Sequence, residues 1–172
     1  SIAIKDAFFK PVFSDDGRYV AYTRYNYLNS RHIRIRDISA GTFNEIDDGM
    51  LPQMAGGYIY YIGYKKGVPK LMVMKGEITG GTTVKIADVT ENLSAFLRLK
   101  SSVYLITTEA MYEVTGDNIE KKFDFAEIKS GKDQTEIGGA YLSSIEGANC
   151  LFLTVKHKIR EDYRWRLYGR LI

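Results

Sequence analysis

The sequence predicts an all-β fold, and three observations carry that expectation. Aromatic residues make up 13% of the 172 residues, with 13 Tyr among them, and such side chains pack well on pleated sheets. Bulky residues recur at every second position through many short runs, the period of a half-buried strand. Gly, with Asp, Asn or Ser beside it, punctuates those runs, as hairpin turns require.

The stretch PVFSDDGRYVAYTRY, residues 11–25, combines all three features, and it recurs. PQMAGGYIYYIGYKKG starts at Pro52, SAFLRLKSSVYLITTEA at Ser94 and IGGAYLSSIEGANCLFLTVKHK at Ile137, at intervals of 41, 42 and 43 residues. Each copy is a short apolar strand, a small or polar turn, then a strand of alternating bulky residues. The segments between copies are alike as well. After the first copy, Ile33, Ile35 and Ile38 flank Arg34 and Arg36, and Gly41 turns into FNEID. After the second, Leu71 and Val73 alternate, Gly80-Gly81 turns, and Val84 and Ile86 alternate on the return. After the third, Met111 and Tyr112 open a strand, Gly116-Asp117 turns, and Ile119 begins the next. The fourth ends in YRWRLYGRLI, where Tyr163, Trp165 and Leu167 alternate with Arg164 and Arg166. No stretch of ten residues has helical periodicity.

Each unit therefore predicts four short antiparallel strands in roughly 42 residues, the length of a propeller blade. A lone four-stranded meander exposes an apolar face, and packing neighbours face to face covers it. The expected architecture is a β-propeller of about four four-stranded blades, at roughly 6–48, 49–90, 91–128 and 129–172. It is either complete in itself or part of a ring of seven or eight blades. A β-sandwich of eight to twelve strands is the competitor, and the similar order of turns in successive units favours the propeller.

Composition narrows the function classes. The length suits one domain with a real core. Hydrophobic residues at 45% and charged residues at 26% mark a globular chain. A net charge of +3 with scattered basic residues lacks the dense stripe of a nucleic-acid binder, and no apolar run is long enough for a membrane helix. Cys150, the single cysteine, lies in the apolar run ANCLFLTV and reads as a buried, inert thiol. A reducing, cytoplasmic setting is the matching expectation.

Candidate sites each have a bland reading. In SDDGR, Asp15 and Asp16 can accept bonds from turn amides and Gly17 tolerates a positive φ. A cation there would need six to eight oxygen ligands, more than this turn or EIDDGM at 45–50 supplies. In YIYYIGY, Tyr58, Tyr60 and Ile62 point one way and Ile59, Tyr61 and Gly63 the other, as in a strand buried on both faces. IREDYRWR is the best candidate for an interaction surface, through Arg160, Arg164, Trp165 and Arg166, because Arg and Trp are enriched at binding hot spots. The bland reading places Arg164 and Arg166 on the wet face of an outer strand whose other face buries Trp165.

FSDDGRYVAYTR resembles the repeat unit of TolB-like propellers. YIGYKKGVPKLMVMKGEITGGTTVKIAD is similar to a blade of the N-terminal propeller in prolyl-oligopeptidase-type serine peptidases, especially the acylaminoacyl-peptidase branch. The matching positions are Lys66, Gly67, Pro69, Leu71, Val73, Met74, Gly80 and Gly81. TENLSAFLRLKSSVYLITT matches the next strand pair, with Leu99, Lys100 and Ser101 in place of the family's Pro-Asp-Gly. The resemblance covers residues 8–125 well and 126–172 poorly. It implies a propeller of seven or eight blades that gates access to a companion α/β-hydrolase domain.

Catalytic machinery is not legible. No G-x-S-x-G nucleophile elbow occurs, and no phosphate-binding or dinucleotide fingerprint. His32 in RHIRIR reads as a solvated strand residue. His157 could meet Glu161 or Asp162, with no activated Ser beside it. Two His and one Cys make a zinc site improbable. The expectation is a non-catalytic propeller domain with no catalytic residue, metal or cofactor of its own. Its partner would be the hydrolase domain, or a second copy meeting exposed blade faces. The alternative is a TolB-like protein-binding or structural assembly propeller.

Overall fold

The computed structural model describes residues 10–25, 30–65, 67–129, 135–159 and 162–172. Four antiparallel sheets succeed one another along the chain, and within each the strands are neighbours in the order of the sequence. They group into two compact units, residues 1–90 and 91–172.

In the first unit, β1 (Val12–Phe13), β2 (Tyr19–Tyr25), β3 (Arg31–Asp37) and β4 (Phe43–Asp47) form one meander. A second comprises β5 (Gly49–Ala55), β6 (Tyr58–Lys65), β7 (Val68–Glu77) and β8 (Val84–Val89). Pairing of Ala21 with Ile35 and Thr23 with Ile33 sets small and branched side chains on one face of the first sheet. There Ala21, Ile33 and Ile35 pack against Met54, Ile59, Tyr61 and Ile78. Tyr60 and Ile62 point the opposite way and are buried too, so β6 is apolar on both faces as its sequence predicts. Close approach explains two glycines. A Cβ at Gly49 would lie 2.9 Å from Cδ1 of Ile33, and one at Gly63 would lie 2.7 Å from Cγ of Met74.

The corner of the first sheet is held by charge. Arg18 donates from Nε and Nη2 to Oδ2 of Asp37 at 3.0 and 2.8 Å. The backbone amides of Ser39 and Ala40 and the Ser39 hydroxyl donate to Oδ1. The Arg18 bonds, then the Ala40 amide and the Ser39 hydroxyl, hold the Asp37 carboxyl well below the usual carboxylate range.

In the second unit, β9 (Leu93–Leu99), β10 (Ser102–Thr107), β11 (Ala110–Thr115) and β12 (Asn118–Asp124) form the third sheet. A single helical turn, α1 (Ala126–Lys129), comes next, with Oδ1 of Asp124 accepting the Ala126 amide at 2.9 Å. The fourth sheet holds β13 (Thr135–Ile145), β14 (Ala148–Ile159) and β15 (Asp162–Leu171). Its repeat predicts four strands, and the described residues supply three. These run to 11, 12 and 10 residues, so the length that makes four short strands elsewhere makes three long ones here. Tyr104, Ile106, Met111 and Phe125 pack against Ile137, Leu142, Leu151, Leu153 and Val155 to form this unit's core. A buried polar knot closes the β10–β11 hairpin. The Thr107 hydroxyl bonds the Glu91 carboxylate and accepts the Glu109 and Ala110 amides at 3.1 and 3.0 Å. Tyr112 donates to Glu91 at 3.0 Å, and burial, with that carboxylate second, pushes its phenol up to about 12.

Candidate functional site

The fourth sheet carries the candidate surface, and strand register decides what it presents. Thr154 pairs with Leu167, Phe152 with Gly169 and Cys150 with Leu171, while Tyr141 pairs with Phe152 on the other side. Period-2 alternation therefore collects Trp165, Leu167, Leu171, Phe152, Tyr141 and Ile145 on one face. The opposite face carries Ile137, Leu142, Leu151, Leu153 and Val155 into the core.

The outward face is apolar and open. Trp165 is 61% exposed, and Tyr141, Ile145, Leu167 and Leu171 lie between 51% and 69%. The expectation that the outer strand buries Trp165 is thus overturned. Alternation puts the indole opposite Arg164 and Arg166 as predicted, but the ring stays mostly exposed. Its position is still defined. A Cβ at Gly138 would lie 2.1 Å from Cζ3 of Trp165, so the indole lies against bare backbone. The Lys156 ammonium stands 6.0 Å from its ring. Phe152 likewise leans over Gly169 and lies 6.5 Å from the Tyr141 ring.

Arg164 and Arg166 are exposed on the reverse side of the same strand. Arg160 lies outside the described residues, as does Lys66 of the blade motif. The three described candidates do not converge: the aromatic anchor and the two described cations serve opposite faces of β15.

A cleft of about 410 Å³ opens at the other end of the strand, lined by Ser102, Tyr104, Glu113, Lys122, Asn149 and Arg170 among others. Its charges are already matched. Lys122 donates to Glu113 at 3.1 Å and to Glu120 at 2.8 Å, and Arg170 stacks on Phe123 at 3.7 Å. Desolvation raises the Tyr104 phenol, and the Glu113 charge adds to it. No sequence signal marks this cleft, because its members are drawn from β10, β11, β12, β14 and β15.

The remaining candidates take structural roles. Oδ1 of Asp16 accepts the Ser14 hydroxyl at 2.6 Å and the Arg18 amide at 3.0 Å, and these bonds lower its carboxyl. Asp15 accepts the Gly56 amide at 3.2 Å, joining the first sheet to the turn of the next hairpin. His32 is not simply solvated: it is largely covered, and its Nδ1 lies 3.0 Å from Asp47 across the β3–β4 pair. The side chains of His157, Asp162 and Pro69, and all of Glu161, lie outside the described residues. Among the described residues no group of three or more His, Cys, Asp or Glu could hold a metal ion, and no helix is long and apolar enough to cross a membrane.

No family model matches the sequence, and no curated protein matches it. Solved structures do. The chain is similar over 99% of its length to the β-propeller domain of the Trilobed protease from Pyrococcus furiosus, with a TM-score of 0.59 and 10% identity. The fold is of the β-propeller class. It spans 59% of that propeller domain. A chain of the nidogen/laminin complex matches 97% of this propeller at a TM-score of 0.56 and 11% identity, 69% of that chain being covered. A prolyl endopeptidase matches 91% of it at 0.55 and 10% identity, over 28% of the enzyme. At such identities the likeness is one of fold, and it recurs in peptidase-family proteins and outside them.

Proposed function

We propose that this chain is a non-catalytic propeller module that controls substrate access in a serine oligopeptidase of the acylaminoacyl-peptidase type. The observation that carries the reading is the likeness, over nearly the whole chain, to a propeller domain belonging to a protease. The blade motif from Gly67 to Gly81 supports it from the sequence. In the structure that motif is β7, a turn through Gly80 and Gly81 at φ 94° and 137°, and β8.

The mechanism is gating. Rigid sheets beside a hydrolase active site admit extended short peptides and refuse folded ones, while bond cleavage stays in the companion domain, in a cytoplasmic setting. The decisive experiment reads the uninterrupted reading frame of the source gene and labels its full-length product with a fluorophosphonate. A G-x-S-x-G elbow and a labelled serine, both outside residues 1–172, are expected. A frame without a hydrolase domain overturns the reading.

A second reading has its own observation. The open apolar face around Trp165 and Leu167 suits a TolB-like protein-binding or assembly module, because exposed patches of this kind mark interaction surfaces. Light scattering of the isolated chain tests the self-association this face permits. A dimer that dissociates on Leu167→Asp substitution supports it, and a monomer of 19.5 kDa at all concentrations opposes it.

A further inference from the structure

The cleft between the third and fourth sheets contains a polar atom that the fold does not satisfy. Oδ1 of Asn149 is shut away from solvent and has no hydrogen-bond donor among the described residues. Pairing with Ser144 fixes the backbone beneath it, and its side chain lines the cleft. An orphaned buried acceptor lowers stability, and Leu, of similar shape, would fill the place without that cost. At about 410 Å³ the cleft has room for a small molecule that could supply the donor.

We propose that this cleft binds an uncharged polyhydroxylated small molecule, a mono- or disaccharide, one hydroxyl of which donates to Oδ1 of Asn149. The proposal is independent of the peptidase reading, since it needs only the second unit.

The wall selects that chemistry in three ways. Its charges rule out an ionic guest. Lys122 is held between Glu113 at 3.1 Å and Glu120 at 2.8 Å, and the Arg170 guanidinium stacks 3.7 Å from the centre of the Phe123 ring. An anion would lie beside Glu113 and a cation beside Lys122 and Arg170, so either would meet a like charge. The polar groups are also of mixed sense. Glu113 and Oδ1 of Asn149 accept, Lys122 and Arg170 donate, and the hydroxyls of Ser102 and Tyr104 do both. Neighbouring hydroxyls on a sugar ring match such a set, because each donates and accepts. For the same reason a hydroxyl satisfies the Asn149 amide turned either way. Finally, Phe123 supplies an apolar surface for the C–H face of the ring.

The wall is arranged before any ligand arrives. Tyr104 is buried, with its hydroxyl 3.5 Å from Glu113, and two carboxylates hold Lys122 in place. Little ordering is left for the ligand to impose.

The test uses the full 172-residue chain, isotope-labelled, with glucose, galactose, mannose, N-acetylglucosamine and maltose as probes. The Asn149 side-chain amide is followed by NMR through each titration. At least one sugar is expected to shift it, with a dissociation constant on the order of 1 mM. The aldonate and amino-sugar counterparts of that sugar are expected to bind about tenfold more weakly. Asn149→Leu is expected to abolish binding and to raise the melting temperature, because it removes the orphaned acceptor and keeps the bulk. Ser102→Ala, on the opposite wall, is expected to weaken binding several-fold with the fold intact. A chain that responds to none of the sugars at concentrations on the order of 10 mM holds only water in the cleft, and the proposal is overturned. Equal binding of the charged counterparts, or binding that survives Asn149→Leu, overturns it as well. So does a lower melting temperature for Asn149→Leu, which would mark the amide as already satisfied within the fold.

Discussion

The indole of Trp165 lies against the backbone of Gly138, so closely that a single methyl group at position 138 would have to displace it. Gly138 lies outside the left-handed region, so its identity answers to contact and not to backbone freedom. Gly138→Ala is therefore expected to lift the ring into solvent. The readouts are a red-shifted emission and stronger acrylamide quenching, with stability falling by less than about 1 kcal/mol because the ring is already mostly exposed.

Two hairpins carry residues that their turns disfavour. Between Leu99 and Ser102, Lys100 takes φ 55° at the first central position, with Ser101 on the negative side, the II′ pattern that suits Gly. Between Ile145 and Ala148, Glu146 at φ 50° and Gly147 at φ 86° form a I′ turn that suits Asn-Gly. Lys100→Gly and Glu146→Asn are each expected to raise stability by about 1 kcal/mol, the scale of a left-handed residue's steric cost. Urea denaturation measures both. The Lys100 ammonium lies 3.3 Å from the Gly147 carbonyl, so the two gains are expected to fall short of additivity.

Asp37 makes the first unit sensitive to acid. Its carboxyl is lowered in the folded state, so the stability it contributes is complete above its unfolded pKa of about 3.9 and is lost as pH falls toward the folded value. Asp37→Asn is expected to lower the urea midpoint at neutral pH. The gap between the two proteins is expected to narrow below about pH 4, where the Asp37 carboxyl of the unfolded chain takes up its proton while the folded one stays ionised. A gap that stays constant down to about pH 2 would remove Arg18 and the corner amides as the cause.

Thr107 is a buried hydroxyl serving as both donor and acceptor. Thr107→Val preserves shape and strands the Glu109 and Ala110 amides together with a Glu91 oxygen. The expected loss is about 1–3 kcal/mol, measured by urea denaturation. Thr107→Ser retains the hydroxyl and is expected to recover most of it.

Period and punctuation were legible in the sequence. Alternation in YIYYIGY places Ile59 and Tyr61 on the face that packs on the first sheet, and Gly17, Gly41, Gly80 and Gly116 all lie in turns at positive φ. Lys100 and Glu146 escape such reading, because a side chain forced into the left-handed region leaves no compositional mark. The burial expected for Trp165 failed for a different reason. Alternation tells which residues share a face, whereas cover depends on what lies against that face. The Arg18–Asp37 pair spans 19 residues. It can be inferred only once Tyr19 is known to pair with Asp37, a register that composition does not fix. In the last sheet the described residues form three long strands where the other sheets have four, a difference the sequence does not show because three long strands and four short ones contain the same alternation.

Every ladder among the described residues joins strands adjacent along the chain. Pairing of this kind closes only short loops, and short loops close quickly and at little entropic cost. Each sheet can consequently zip up as it leaves the ribosome, without waiting for chain still to be made. Such an order of events suits a protein whose units differ by insertion or loss of one roughly 42-residue segment at a time, because adding or deleting a unit disturbs its neighbours' surfaces and leaves their internal pairing intact.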